Sequence, residues 1–97
     1  MDQLPRIQRW YADHCDGDWE HTFGIKLGTL DNPGWLLYID LSDTELADKP
    51  FEPILRGDSE DDASWLHCKV ANGKFEAAGG SHDLQEMLET FLQWAGY

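Results

Sequence analysis

Two segments at opposite ends of the chain carry apolar residues at the spacing of a helix. Residues 4–15 repeat apolar side chains every three or four positions, with polar side chains on the other faces, which predicts an amphipathic helix. Asp16-Gly17-Asp18 follows, and its glycine can adopt the positive φ that often ends a helix. Residues 84–95 show the same period. Ser81 or Asp83 is the expected N-cap of this helix, with Glu86 completing a capping box with Asp83.

Between these helices the period changes from helical to alternating. Four segments have one apolar face and predict strands: residues 22–29, 35–41, 65–70 and 75–78. The strand over 35–41 is expected to be central in the sheet, because its second face is also partly apolar. Residues 42–64 lose this periodicity and carry two prolines, so we expect a loop there with at most one short strand, at 51–55.

Two turn sequences join the strands in pairs. Asp31-Asn32-Pro33-Gly34 follows the first strand, and a proline followed by a glycine is typical of a type II turn with the glycine at positive φ. Asn72-Gly73 is the strongest hairpin signal in the chain. The sequence therefore predicts two antiparallel hairpins.

The order of helix, hairpin, loop, hairpin and helix predicts an α+β fold. We expect an antiparallel sheet of four to five strands, flanked by the N-terminal and C-terminal amphipathic helices on one face. A chain of 97 residues has enough apolar surface for one core, so residues 1–97 are expected to form a single domain.

The charge of the chain excludes several kinds of partner. Nineteen Asp and Glu oppose seven Lys and Arg, for a formal net charge of -12, which repels nucleic acids and anionic membranes. Hydrophobic residues make up 41% of the chain and five are Trp, too many for a disordered acidic tail. The sequence shows neither an apolar run of the ~20 residues that span a bilayer nor the pattern of a secretion signal. We therefore expect a folded cytoplasmic protein.

The histidines and cysteines do not have the spacing of a metal site. His14, Cys15, His21, His67 and Cys68 are the candidate ligands, and they form neither C-x-x-C nor H-x-x-x-H. His67 and Cys68 are neighbours on a predicted strand and therefore point to opposite faces. Both cysteines are expected to be reduced thiols, and we expect no metal and no cofactor.

The acidic segment at residues 13–20 resembles a calcium-binding loop only in composition. Its carboxylates lack the D-x-[DN]-x-[DN]-G register and the distal glutamate that such loops use. A solvated helix exit is the favoured interpretation of this segment.

Two blocks of sequence resemble a known family. Gly17-Asp18-Trp19-Glu20-His21-Thr22-Phe23-Gly24-Ile25 is followed by Thr29-Leu30-Asp31-Asn32-Pro33-Gly34-Trp35, and together they are similar to the immunity protein 53 family of bacterial polymorphic toxin systems. Trp10-Tyr11 and Phe91-Leu92-Gln93-Trp94 extend the resemblance over essentially the whole chain. It implies a small cytosolic protein, encoded beside a toxin gene, that binds and blocks the toxin. It implies no catalytic residue.

The uneven charge indicates where such a partner would bind. Long stretches have no Lys or Arg, so parts of the surface are expected to be uniformly negative and to attract basic partners. A nuclease toxin has a basic cleft, which an acidic protein could occupy as a mimic of nucleic acid. An exposed Trp65 or Tyr38 is expected to contribute to the contact. The candidate contacts are carboxylates of two loops with nearby aromatic and histidine side chains: Asp16, Asp18, Trp19, Glu20, His21, Tyr38, Asp58, Glu60, Asp61, Asp62 and Trp65.

Two other functions are open from the residues alone. A small enzyme would need Glu20, His21, Asp40 and His67 to converge on a pocket. An acidic interaction module would form a homodimer through an exposed sheet face or edge.

Overall fold

The computed structural model describes residues 2–57 and 64–97. The predicted contacts Asp58, Glu60, Asp61 and Asp62 lie outside the described residues. The elements, in chain order, are α1 (Gln3–His14), α2 (Trp19–Thr22), β1 (Ile25–Leu30), β2 (Gly34–Asp40), β3 (Ile54–Arg56), β4 (Leu66–Ala71), β5 (Lys74–Gly79) and α3 (Leu84–Ala95).

The five strands form one antiparallel sheet in the order β1-β2-β5-β4-β3. The two hairpins meet where β2 pairs with β5, from Trp35 opposite Gly79 to Asp40 opposite Lys74. β2 therefore has a neighbour on each side, as predicted for this strand. The α+β prediction and the number of strands are confirmed.

Both terminal helices pack on the same face of the sheet. That inner face presents Leu37, Ile39 and Phe75 to the core, and the helices add a second layer of buried side chains. The ring of Phe91 on α3 lies 5.0 Å from that of Trp10 on α1 and 5.2 Å from that of Phe75. Aromatic contacts of this kind add to the burial of apolar area, so Phe91 joins both helices to the sheet.

The turn after β1 differs from the prediction. Leu30 pairs with Gly34, so a three-residue turn connects the strands and Gly34 already belongs to β2. The positive φ expected for Gly34 in a type II turn is wrong. Glycine is needed there for space instead, because a Cβ at this position would lie 2.5 Å from the carbonyl oxygen of Gly79.

The second hairpin has the predicted turn. Asn72 and Gly73 have φ values of 55° and 75°, and two successive positive φ angles are the property of a type I′ turn. The short strand expected near 51–55 is β3, although it begins at Ile54.

The start of α3 also departs from the prediction. Asp83 is the N-cap, but its side chain makes no capping hydrogen bond. Its carboxylate accepts hydrogen bonds from the backbone N–H of Trp65 and the hydroxyl of Ser64, both at 3.2 Å. Glu86 pairs with Arg56 at 2.6 Å. The capping box between Asp83 and Glu86 is therefore wrong, because both carboxylates have tertiary partners.

Candidate functional site

A groove of about 780 Å³ lies between α1 and β1. Its walls include Leu4 and Tyr11 from α1 and Leu27 from β1, and its floor includes Leu37 and Leu88 from the core. We call it the α1–β1 groove.

The α1–β1 groove gathers most of the exposed large apolar side chains of the described residues. Leu4, Tyr11 and Leu27 are 69%, 38% and 53% exposed, and Leu55 on the far edge of the sheet is the fourth such residue. Single exposed apolar residues are ordinary on a protein surface, but several in one groove mark an interaction site. The sequence could not predict that these side chains lie in one groove, because Leu4 and Leu27 belong to different elements.

One end of the groove is formed by the segment that follows α1, and two carboxylates hold this segment in shape. Asp16 accepts hydrogen bonds from the backbone N–H groups of Asp18 and Trp19, both at 2.9 Å. Glu20 accepts from the N–H groups of Asp16 and Gly17 in return, at 2.9 Å each. The amide of Trp19 is the main cause that lowers the pKa of Asp16, and backbone amides, its own first, lower that of Glu20.

Trp19 anchors the same segment to the core. Its side chain is 5% exposed, and its indole N–H donates to the carbonyl of Ser42 at 2.9 Å. The four-residue helix α2 begins at Trp19 and ends at Thr22, so the strand predicted from residue 22 begins three residues later, at Ile25. After it, the N–H of Gly24 donates to the carboxylate of Asp40 at 2.9 Å. Trp19 is therefore a structural residue, whereas His21 beside it is exposed.

The contacts of Trp19 and Gly24 bring a second acidic segment to the same end of the molecule. Residues 40–48 contain four carboxylates, and a hydrogen bond of 2.7 Å from His14 to Glu45 ties them to α1. We call the carboxylates of residues 13–20 and 40–48 the acidic end. Its members comprise both exposed and half-buried side chains: Asp13, Asp16, Asp18, Glu20, Asp40, Asp43, Glu45 and Asp48.

The acidic end is continuous with the α1–β1 groove. Glu20 and Asp40 belong to both, and His21 lines the groove beside Glu20. Lys26 and Lys74 are the lysines of the groove lining. Lys74 lies 3.6 Å from Asp40 and is paired with it. The site therefore combines an apolar groove with a strongly negative end, a combination suited to a partner with apolar and basic side chains.

His14 bridges the two acidic segments. Its ring nitrogens lie 2.7 Å from the carbonyl of Trp10 and 2.7 Å from the carboxylate of Glu45. Partial burial acts to lower the pKa of His14, but these two hydrogen bonds outweigh it and raise the pKa above its ordinary value. Both nitrogens are therefore engaged within the protein.

The other candidate ligands do not converge. Cys15 and Cys68 are both free thiols, as predicted, and burial raises the pKa of Cys68 to about 11. His67 lies near the carbonyl of Gly57, at 3.1 Å. Within residues 2–57 and 64–97, no three His, Cys, Asp or Glu side chains are placed to hold a metal ion.

The enzyme alternative required four side chains to converge on one pocket. Glu20, His21 and Asp40 line the α1–β1 groove, but His67 lines a separate depression of about 440 Å³. The predicted constellation is thus divided between two separate depressions.

Two predicted contact residues lie away from the groove. Tyr38 is half-buried on the outer face of β2, opposite Glu76 of β5. Trp65 was expected to be exposed, and this is wrong, because its side chain is only 4% exposed. Its ring packs against Gly34, where an added Cβ would lie 3.3 Å from Cζ2.

Comparison with known proteins identifies the family. A family model described as immunity protein 53 matches residues 4–96. The chain belongs to the immunity protein 53 family. The resemblance seen in the two sequence blocks is thereby confirmed. No curated protein and no solved structure matches the chain.

Several residues in those two blocks have structural roles in this immunity protein 53 chain. Trp19 is buried, Glu20 binds the backbone of its own loop, and Gly34 allows two strands to approach closely. Among the described residues, none of the helices has the length and apolar character that a membrane span requires.

Proposed function

We propose that this member of the immunity protein 53 family binds a cognate bacterial toxin domain and neutralises it without catalysing a reaction. The observation that carries the proposal is the α1–β1 groove, which gathers Leu4, Tyr11 and Leu27 and ends among the carboxylates of the acidic end. Neutralisation takes place in the cytoplasm of the cell that makes the toxin.

Among the residues predicted to contact the partner, Asp18 and His21 fit this role best. Both are exposed at the groove end, whereas Asp16 and Glu20 are engaged with backbone amides of their own loop. The acidic end adds Asp43, which no sequence pattern indicated. Tyr38 lies on the outer face of the sheet, away from a toxin bound in the groove.

The charge supports a nuclease as the toxin. An active site that binds a phosphate backbone is basic, and clustered carboxylates on a rigid protein can occupy such a cleft in place of nucleic acid. The formal charge of -12 also speeds the encounter with a basic toxin. We propose that the acidic end covers the nucleic-acid cleft while the groove holds an apolar part of the toxin.

The test is a binding titration with the toxin domain encoded beside this gene, at about 50 and 500 mM salt. Two matched variants, Asp43→Asn and Asp31→Asn, each remove one exposed carboxylate from a loop. Asp31 lies in the β1–β2 turn, at the opposite end of the strands from Asp40. We expect Asp43→Asn to weaken binding about three- to tenfold at low salt, and Asp31→Asn to change it much less.

The second measurement follows the cleavage and the binding of nucleic acid by the toxin. A saturating amount of the protein should stop cleavage by the toxin and displace bound nucleic acid. If the toxin is not bound at either salt concentration, the proposed function is wrong. If it is bound equally well at both, or retains its nucleic acid, neutralisation stands and mimicry is refuted.

A further inference from the structure

The outer edge of β1 is an unprotected strand edge. β1 has six residues and pairs without interruption with β2, but it ends the sheet order and has no neighbour on its other side among the described strands. The opposite edge, β3, has only three residues. Short edge strands, bulges, prolines and charges normally protect an edge from pairing, and β1 has only Lys26.

The pairing of β1 with β2 determines which backbone groups are free. The N–H of Asp40 donates to the carbonyl of Gly24 at 3.0 Å, so Gly24 and Asp40 are a hydrogen-bonded pair. Because such pairs alternate along an antiparallel ladder, Lys26, Gly28 and Leu30 direct their N–H and C=O groups toward β2. Those of Ile25, Leu27 and Thr29 face the open edge, where an added strand would bind them. We refer to these three residues as the open edge of β1.

The α1–β1 groove runs alongside this open edge. Leu27 is 53% exposed and belongs both to the edge and to the groove wall, opposite Leu4 and Tyr11 of α1. Alternate side chains of a strand point to the same face. A strand paired with β1 would therefore place every second side chain against these apolar residues.

We infer that the toxin docks by adding an extended strand to the open edge of β1, with alternate apolar side chains in the α1–β1 groove and basic side chains at the acidic end. This inference rests on the proposed function. The charge distribution favours the toxin over a second copy of this chain as the added strand. Two copies, each at a formal charge of -12, would bring two acidic ends together, and these would repel each other.

Residue-resolved amide exchange, measured by NMR on the free protein and on its complex with the adjacent-gene toxin domain, tests this inference. In the free protein, the amides of Ile25, Leu27 and Thr29 should exchange rapidly and those of Lys26 and Gly28 slowly. In the complex, we expect the three edge amides to slow at least about tenfold. An increase in protection with protein concentration in the absence of toxin would instead identify a second copy as the occupant and overturn the inference.

Substitutions separate the backbone contact from the side-chain contact. Thr29→Pro removes one N–H of the open edge and leaves the ladder to β2 intact, and Thr29→Ala is the reference that keeps this N–H. We expect Thr29→Pro to bind toxin about tenfold more weakly than Thr29→Ala. Leu27→Ala should also weaken binding, whereas Leu55→Ala, at the far edge of the sheet and 82% exposed, should not.

The outcomes distinguish the inference from the function on which it rests. Tight toxin binding with rapid exchange at the three edge amides, or equal affinities of Thr29→Pro and Thr29→Ala, would overturn strand addition and leave neutralisation intact. Loss of toxin binding by the unmodified protein would refute the proposed function itself. Thermal unfolding of each variant verifies that a weaker complex does not reflect a misfolded protein.

Discussion

At the scale of single residues, identical side chains in one short segment have different roles. Asp16 accepts two backbone hydrogen bonds and shapes its loop, whereas Asp18, two positions later, makes no side-chain capping bond and is exposed. A buried or hydrogen-bonded group stabilises the fold, and an exposed charge is available to a partner. The composition of the segment cannot separate these two roles.

The close approach at Gly34 predicts a large effect of one methyl group. Gly34→Ala places a Cβ 2.5 Å from the carbonyl oxygen of Gly79, and we expect it to lower the free energy of unfolding by about 1–3 kcal/mol. Gly28→Ala is the control, because an added Cβ at Gly28 meets no atom within 4 Å. Urea unfolding measures both, and equal stabilities would contradict the steric argument.

The bridge between His14 and Glu45 predicts a stability that depends on pH. The pKa of His14 is raised from 6.5 and that of Glu45 is lowered from 4.5. Partial burial of Glu45 acts to raise its pKa, but the hydrogen bond to His14 outweighs this effect. The contribution of His14 is therefore complete below its unfolded pKa and is lost as the pH rises through its folded pKa. The contribution of Glu45 is present above its unfolded pKa and is lost as the pH falls through its folded pKa.

The pair should thus stabilise the protein most between about pH 4.5 and 6.5. We expect His14→Gln to lose about 0.5–1 kcal/mol more at about pH 5.5 than at about pH 9, a small difference because Glu45 is exposed. Urea unfolding of the wild type, of His14→Gln and of Glu45→Gln provides the measurement. A pH-independent difference between His14→Gln and the wild type would show that the bridge does not contribute.

At the scale of elements, side chains at helix ends connect parts of the fold that are distant in sequence. Asp83 holds the start of β4 through the backbone N–H of Trp65, and His14, in the last turn of α1, holds the loop around Glu45. Because these contacts join separate elements, each helix end is positioned by tertiary partners as much as by its own sequence.

The contact of Asp83 with Trp65 predicts that this N-cap is more important than an ordinary one. Asp83 is 8% exposed, so Asp83→Ala leaves a buried N–H without its acceptor, and we expect a loss of about 1–3 kcal/mol. Glu86→Ala, which removes an exposed ion pair with Arg56, should lose less than about 1 kcal/mol. A comparable loss for the two variants in urea unfolding would contradict this role of Asp83.

At the scale of the whole molecule, negative charge is concentrated at the acidic end. Three lysines, Lys26, Lys69 and Lys74, lie on the outer face of the sheet, where Lys69 pairs with Glu76 at 3.7 Å. The acidic end contains eight carboxylates from two segments. Like charges held this close repel one another in the folded state, and the repulsion is screened by salt.

This concentration of carboxylates predicts opposite effects of salt on folding and on binding. Between about 50 and 500 mM salt, the midpoint of thermal unfolding of the free protein should rise, because screening relieves repulsion at the acidic end. Over the same range the affinity for the toxin should fall, because screening weakens attraction between opposite charges. Unfolding and binding measured in the same buffers test this, and a shift of both in one direction would argue against it.

The sequence by itself determined the elements of this protein apart from the four-residue helix α2. Helical and alternating periods are local properties that follow from which face of each element is buried, and they predicted both terminal helices, the strands and the Asn72-Gly73 turn. The family was also evident from two short blocks of sequence, which contain the buried Trp19 and the closely packed Gly34.

Only the tertiary structure decided the candidate site. The pairing of β2 with β5, the groove between α1 and β1 and the meeting of residues 13–20 with 40–48 depend on contacts between distant segments, for which a local pattern contains no information. The same limit explains the errors at Gly34, Asp83 and Trp65, because the space and partners of these side chains come from elements elsewhere in the chain.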